Sequence, residues 1–317
     1  MTESLEGRMR LTVLGGYLGS GKTTWLRHQL HVGRFKDAHV IVNEAAETPV
    51  DDALLGQSAR LSVLAGGCVC CTAKPDLIAL LRRLCDERST NGAERLQQIV
   101  LETSGLADPG PIVAAIKADP VLVHHIVVSE IVVAADALNA LSQLETEPLG
   151  RRQIETADRL IVTKAEAADK GAVKTLLATL NALNPLAKLS GASKGVEMPL
   201  PKWEGVAPEP LPDLLHDDAR PPIIPARLYI DDGIDWTAFT VWLSALLHAR
   251  GDDIVRVKGV VRTPAGRLLL QAVRKVVQSP EIMPEQGDTR EDNMIAIIGR
   301  GFTPEQLKRS LRHFAGR

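Results

Sequence analysis

The stretch that decides the fold is "GGYLGSGKTT", residues 15 to 24. Four residues separate Gly16 from Gly21-Lys22-Thr23, which is the full spacing of a phosphate-binding loop. The apolar run "RLTVLGG" before it predicts a strand, and "KTTWLRHQL" after it predicts a helix. Phosphate binding needs this context, because the N-terminus of the helix faces the anion. A glycine turn that happens to precede a lysine is a much weaker explanation.

Each residue type in the loop has a chemical task. Glycines let successive backbone N–H groups curl around phosphate oxygens, the lysine neutralises the outer phosphates, and the first threonine hydroxyl binds Mg²⁺. The candidate nucleotide contacts are therefore Gly16, Gly19, Ser20, Gly21, Lys22, Thr23 and Thr24, with Thr23 also a metal ligand.

A second segment, "VLETSG" (100 to 105), completes the phosphate site. Glu102 follows an apolar strand, the position from which a carboxylate meets Mg²⁺ or its water. Gly105 stands three residues later, where its N–H can contact the terminal phosphate. A solvated turn acid is the alternative for Glu102, and the loop upstream favours the functional interpretation.

The strand and helix pattern continues along the first two thirds of the chain. Strands are predicted at 38 to 44, 59 to 67, 97 to 105, 124 to 136 and 158 to 164, and helices near 74 to 88, 109 to 118, 137 to 157 and 169 to 183. Buried strands that alternate with helices predict an α/β domain of the P-loop NTPase type, with a largely parallel sheet.

The remainder of the chain predicts a smaller second domain. Residues 196 to 222 carry seven of the 19 prolines and no sustained periodicity, which is typical of a linker. Beyond it, strand patterns that include "RLLLQAVRKVVQ" and a final helix capped at Thr303 predict an α+β C-terminal domain. The expected limits are 1 to 195 for the first domain and 223 to 317 for the second.

Charge and hydropathy argue against a nucleic-acid-binding, secreted or membrane protein. A net charge of -2 gives no long-range attraction to nucleic acid, so a nucleic-acid partner is not expected. The first residues lack the apolar core of a signal peptide, and the most apolar later run is interrupted by Glu130 and Asp136. We therefore expect a cytoplasmic protein with no membrane contact.

Three of the four cysteines lie in "GGCVCCT", residues 66 to 72. In a reducing compartment, clustered thiols are more often metal ligands or catalysts than disulfides. Cys68, Cys70 and Cys71 can converge on one ion, and three ligands leave a coordination position open for exchange. Thiolates favour Zn²⁺, Co²⁺ or Cu(I) over Mg²⁺. Apolar packing, a redox pair and a vestigial site are the alternatives, whereas Cys85 is expected to be a helix-packing residue.

The motifs "GGYLGSGKTT", "VNEAAE", "GGCVCCT", "LETSGLADPGPI" and "IVTKAE", in this order and at these intervals, resemble the CobW-type metallochaperone GTPases along the whole chain. The resemblance implies a GTPase that carries zinc or cobalt on its Cys-x-Cys-Cys motif and delivers it to a client metalloprotein or cofactor-insertion complex. A homodimer is an additional candidate assembly.

The resemblance also implies individual roles. It makes Glu44 a switch acid and a metal ligand, and it places Lys164, with Thr163 and Glu166 beside it, at the guanine base. Lys22, Glu44, Glu102 and Gly105 form the catalytic set.

Two departures from the family pattern bear on these roles. Ala45 and Ala46 replace the usual Phe-Gly after the switch acid, and Glu166 replaces the usual aspartate of base recognition. A glutamate still accepts hydrogen bonds from guanine, although one extra methylene moves its carboxylate. Two other functions stay open at this point: a P-loop kinase or ligase with a structural zinc site, and a nucleotide-binding regulatory module without turnover.

Overall fold

The computed structural model describes most of the 317-residue chain. The described residues are 7–43, 60–64, 74–90, 96–212, 223–231, 234–251, 253–264, 266–273, 276–277, 280–282 and 292–314. They form two compact units, the first comprising Met1–Ala182 and Ala187–Leu214, and the second Leu183–Leu186 and Leu215–Arg317.

An eight-stranded sheet forms the centre of the first unit. Its strands are β1 (Met9–Gly16), β2 (His39–Asn43), β3 (Arg60–Leu64), β4 (Gln98–Glu102), β5 (Ile126–Asp136), β6 (Arg159–Thr163), β7 (Lys188–Ser193) and β8 (Val196–Met198). The order across the sheet is β3-β2-β4-β1-β5-β6-β7-β8, and every pair is parallel except β7 with β8. The predicted α/β class with a largely parallel sheet is confirmed. Most consecutive residues of the central strands β1, β2, β4, β5 and β6 are buried, as expected where both faces of a parallel sheet are covered.

Helices connect these strands. They are α1 (Lys22–His31), α2 (Lys74–Thr90), α3 (Pro109–Ala118), α4 (Leu122–His125), α5 (Ala140–Thr146), α6 (Pro148–Thr156) and α7 (Lys170–Leu183). Trp25 of α1 is almost fully buried and its ring meets the Phe35 ring edge-on, with centroids 6.2 Å apart. On α2, Cys85 is buried among leucines, so its predicted role in helix packing is confirmed.

Three local predictions were wrong. The helix expected over 137 to 157 is two helices, because Pro148 has no N–H to donate and holds Glu147 in an extended conformation. His124 and His125 end α4 rather than begin a strand, and they lie at the amino end of β5. Residues 196 to 198, expected in the linker, pair with β7 as β8.

The second unit contains a separate antiparallel sheet. Its strands are β9 (Ile223–Tyr229), β10 (Ile254–Thr263), β11 (Gly266–Val273), β12 (Val276–Val277), β13 (Glu281–Ile282) and β14 (Met294–Arg300). Their order is β12-β11-β10-β14-β9, with β13 paired to β11. The single run expected at "RLLLQAVRKVVQ" reverses direction, since Val276 pairs with Val273. This sheet and its helices confirm the α+β class.

Two helices, α8 (Trp236–Arg250) and α9 (Pro304–Phe314), supply the apolar side chains that cover this sheet. Thr303 caps α9 as predicted: its Oγ1 accepts from the Gln306 N–H, and the Gln306 side chain accepts from the Thr303 N–H. No helix in the described ranges has both the length and the apolar composition that a membrane crossing needs.

Candidate functional site

The phosphate loop joins β1 to α1, and three of its glycines have positive φ angles: 135° at Gly16, 73° at Gly19 and 83° at Gly21. Only glycine adopts such angles without strain. Space adds a second constraint at Gly16, where a Cβ atom would lie 2.5 Å from the carbonyl oxygen of Ala134 on β5. The backbone angles favour glycine at all three positions, and the close approach of Ala134 requires it at Gly16.

Lys22 begins α1 and turns back over the loop. Its Nζ donates to the Gly16 carbonyl at 2.9 Å and to the Tyr17 carbonyl at 3.1 Å. The ammonium thus lies across the concave side of the loop, where it can meet a phosphate oxygen. Ser20 is also buried, and its hydroxyl oxygen has no hydrogen-bond partner among the described residues. An anion held in the loop offers that hydroxyl an acceptor, so these residues fit a bound phosphate.

Glu102 meets Thr23 beside the loop. The Thr23 hydroxyl donates to Glu102 Oε1 at 2.5 Å. Strand register explains this contact, because Glu102 on β4 pairs with Leu14, two residues before the loop on neighbouring β1. A hydroxyl and a carboxylate are oxygen donors of the kind that Mg²⁺ prefers, so this pair fits a magnesium ion at the outer phosphates.

Gly105 lies directly against the phosphate loop. A Cβ atom at this position would come within 2.7 Å of the Leu18 nitrogen and 2.8 Å of its Cα. The absence of a side chain at Gly105 therefore lets two backbone segments touch. This contact places the turn after β4 against the phosphate loop.

The segment that was predicted to recognise the base follows β6 and reaches the loop from the other side. The Thr163 hydroxyl donates to the Ser20 carbonyl at 2.8 Å. Lys164 has a φ of 56°, and its Nζ donates to the Gly19 carbonyl at 2.9 Å. Glu166, in contrast, is exposed in a turn closed by the bond from the Ala167 N–H to the Lys164 carbonyl. Thr24 is likewise exposed on the first turn of α1.

Asp136 is a residue of this site that the sequence analysis missed. It ends β5 and is 3% exposed, and its Oδ2 accepts from Lys164 Nζ at 2.7 Å. Burial alone would raise the pKa of this carboxyl, but hydrogen bonds from Lys164, Asn139 and the Leu138 N–H outweigh it, so the pKa lies below its ordinary value. An acid at the end of an apolar strand was the available signal, the same one that identified Glu102.

Glu44, Cys68, Cys70 and Cys71 lie outside the described residues. The strands that lead to them are described. Asn43 pairs with Leu64, and Val42 on the same strand pairs with Glu102. The described part of β3 thus ends at the sheet edge that carries the phosphate loop, four residues before Cys68. Among the described residues, no group of three or more histidine, cysteine or acidic side chains could hold a metal ion.

Each of the two units contains a region that matches a known protein family. Residues 10–190 match the family described as CobW/HypB/UreG, nucleotide-binding domain, and residues 227–315 match the cobalamin synthesis protein cobW C-terminal domain.

Two relatives are similar along nearly the full chain. The zinc chaperone CobW of Pseudomonas aeruginosa is 31% identical over 351 residues, covering 96% of this chain and 91% of the relative. The zinc chaperone YjiA of Escherichia coli (strain K12) is 27% identical over 325 residues, covering 96% of this chain and 98% of the relative.

The crystal structure of Zn(II)-bound YjiA GTPase from E. coli has the same fold, with a TM-score of 0.64 and 22% identity over 97% of this chain and 99% of that chain. With matching domains in order and near full-length relatives, the chain belongs to the CobW/HypB/UreG family.

Proposed function

We propose that this protein is a Mg²⁺-dependent GTPase that binds zinc or cobalt at Cys68, Cys70 and Cys71 and transfers the metal to a client protein. The observation that carries the proposal is the alignment of strand ends. The Thr23 and Glu102 contact lies at the edge where β2 and the described part of β3 also end, and those two strands lead to Glu44 and to the cysteines. In an open α/β sheet this edge is where ligands bind.

Hydrolysis in this proposal consists of positioning and charge stabilisation. Lys22, the loop N–H groups and the Gly105 N–H hold the phosphates, and Thr23 and Glu102 hold the magnesium ion, which neutralises charge as it develops on the phosphoryl group. Glu44 positions the attacking water or contacts the transported metal. Guanine binds on the Lys164 side, where Glu166 accepts from its N–H groups.

The named relatives support the metal part of the proposal, since two of them are called zinc chaperones and one solved relative is a Zn(II)-bound GTPase. Three thiolates need a reducing compartment to remain ligands, which supports a cytoplasmic location. Coupling between two sites is typically about 1–3 kcal/mol, whereas structural zinc sites reach about 10–16 kcal/mol. Nucleotide turnover can therefore adjust metal affinity, and the client must supply ligands to complete the transfer.

Metal analysis of the purified protein with and without a slowly hydrolysed GTP analogue tests the proposal. We expect bound zinc or cobalt, with an affinity that changes when the analogue is present. In parallel, steady phosphate release from GTP distinguishes a GTPase from a binding module without turnover. Protein that binds neither metal in either state, or that releases no phosphate, would contradict the proposal.

A further inference from the structure

The side chain of Gln153 on α6 makes hydrogen bonds to the turn that carries Gly105. Its Nε2 donates to the Gly105 carbonyl at 3.3 Å and to the Ala107 carbonyl at 2.8 Å. A side-chain amide has two N–H donors, so both are used on this one turn. The opposite amide orientation would set an oxygen against two carbonyl oxygens, which excludes it. Gln153 is 1% exposed, so water cannot replace these bonds.

Helix α6 holds the same turn at a further point. Arg152, next to Gln153, lies 3.3 Å from Asp108, measured from Nε to Oδ2. Asp108 is the N-cap of α3 and accepts from the Gly110 N–H at 2.9 Å. Two neighbouring residues of α6 thus hold the turn at three points, Gly105, Ala107 and Asp108, and fix its path to the start of α3.

Gly105 has room neither for a side chain nor for its backbone to move closer to the phosphate loop. Its backbone already touches Leu18 of the phosphate loop, and a side chain would not fit there. A hydrogen bond from its N–H to phosphate depends steeply on distance and angle. A small outward movement of the turn would therefore lose the contact with a terminal phosphate while leaving the loop that holds the inner phosphates unchanged.

We propose that Gln153 is a positioning residue: by holding the Gly105 and Ala107 carbonyls, it sets the Gly105 N–H at the terminal phosphate of a bound nucleoside triphosphate and so sets the preference for triphosphate over diphosphate. This inference rests on the proposed function. Neither the motifs nor the spacing of the sequence assigned a role to Gln153.

The test compares full-length wild type with Gln153→Met, which keeps the length of the side chain but removes both donors. Affinities for a slowly hydrolysed GTP analogue and for GDP are measured by calorimetry. We expect the analogue to bind about tenfold more weakly and GDP to bind as in wild type, because one hydrogen bond to a charged group is lost. Gln153→Asn keeps the amide but is too short to reach both carbonyls. It should lower the ratio of analogue affinity to GDP affinity in the same direction, by a smaller factor.

Gln29→Met is the matched control. Gln29 is also a buried glutamine, 4% exposed, whose Nε2 donates to a backbone carbonyl, that of Gly195 at 3.2 Å. Its substitution should lower the melting temperature and leave the ratio of the two affinities unchanged.

The outcomes separate this inference from the proposed function. If the wild type binds both nucleotides and the Gln153 variants keep its affinity ratio, Gln153 is only structural and the inference is wrong. If the wild type binds no guanine nucleotide, the proposed function itself fails. Should Gln153→Met not fold, the ratio measured for Gln153→Asn decides.

Discussion

Lys164 Nζ lies 2.7 Å from Asp136 Oδ2 and 2.9 Å from the Gly19 carbonyl oxygen, so one ammonium joins the end of β5 to the phosphate loop. Asp136 and Thr163 are paired residues at the ends of neighbouring strands, which brings the acid to the lysine that follows Thr163. A buried carboxylate with three hydrogen-bond donors is a rigid anchor. Asp136 therefore holds Lys164 in place against the phosphate loop.

Asp136→Asn should weaken GTP binding about tenfold, because the lysine loses its charged partner. Asp119→Asn is the matched control: Asp119 is buried and accepts from Arg82 Nε at 3.0 Å, but it precedes α4, on the amino side of β5. We expect lower stability in both variants and weaker nucleotide binding only in Asp136→Asn, measured by calorimetry. Equal GTP affinities in the two variants would show that Asp136 does not contribute to nucleotide binding.

The stability that Asp136 contributes should depend on pH. Its pKa is lower in the folded protein than the ordinary aspartate value of about 3.9. The contribution is therefore complete above about pH 4 and is lost as the pH falls through the folded-state pKa. Urea unfolding at a series of pH values should show a wild-type advantage over Asp136→Asn that shrinks with acidification. An advantage that stays constant down to the lowest pH would contradict this assignment.

Glu102→Gln should raise the Mg²⁺ concentration needed for half-maximal GTP hydrolysis by about 10- to 100-fold, because a neutral amide replaces the carboxylate that contacts Thr23. Glu130→Gln provides the comparison. Glu130 is a glutamate on β5 whose partner, Arg159 Nη2, lies 2.8 Å away. Its substitution should leave the Mg²⁺ titration unchanged. If both titrations match the wild type, Glu102 does not act through the metal.

Cys68→Ser should reduce bound zinc or cobalt while leaving GTP affinity intact, because the hard hydroxyl replaces a soft thiolate ligand. Cys85→Ser is the control, since Cys85 is 2% exposed on α2 and burial raises the pKa of its thiol to about 11. That variant should lose stability and keep its metal, as measured by elemental analysis. Unchanged metal content in Cys68→Ser would rule out the thiolate site.

In the second unit, Asp292→Asn should destabilise the antiparallel sheet by about 3–5 kcal/mol. Asp292 Oδ1 lies 2.7 Å from Arg267 Nη2, and the arginine is only 4% exposed, so the substitution leaves a buried positive charge poorly compensated. Asp253→Asn, which removes a more exposed partner of Arg250, should cost at most about 1 kcal/mol. Hydrogen exchange of the β10 and β11 amides would measure the loss of stability in each variant. Equal losses in Asp292→Asn and Asp253→Asn would contradict the prediction.

Much of the fold and part of the site were predictable from local patterns. Apolar runs between helical segments predicted the parallel sheet, and the loop spacing placed Lys22 and Thr23 correctly at the start of α1. The split at Pro148 and the reversal after Val273 were missed for different reasons. The first is a local proline effect that the helical pattern concealed, and the second depends on which strand pairs with which.

The sequence by itself determined the phosphate loop, the order of strands and helices, and the family, because glycine spacing and hydrophobic periodicity act between residues close along the chain. Only the tertiary structure decided that Asp136 holds Lys164, 28 residues away, and that Gln153 holds Gly105, 48 residues away. These contacts arise from strand register and from the packing of α6 against the turn after β4. Burial of Gln153 and of the Asp136 carboxylate then strengthens these hydrogen bonds, because little water reaches those two groups.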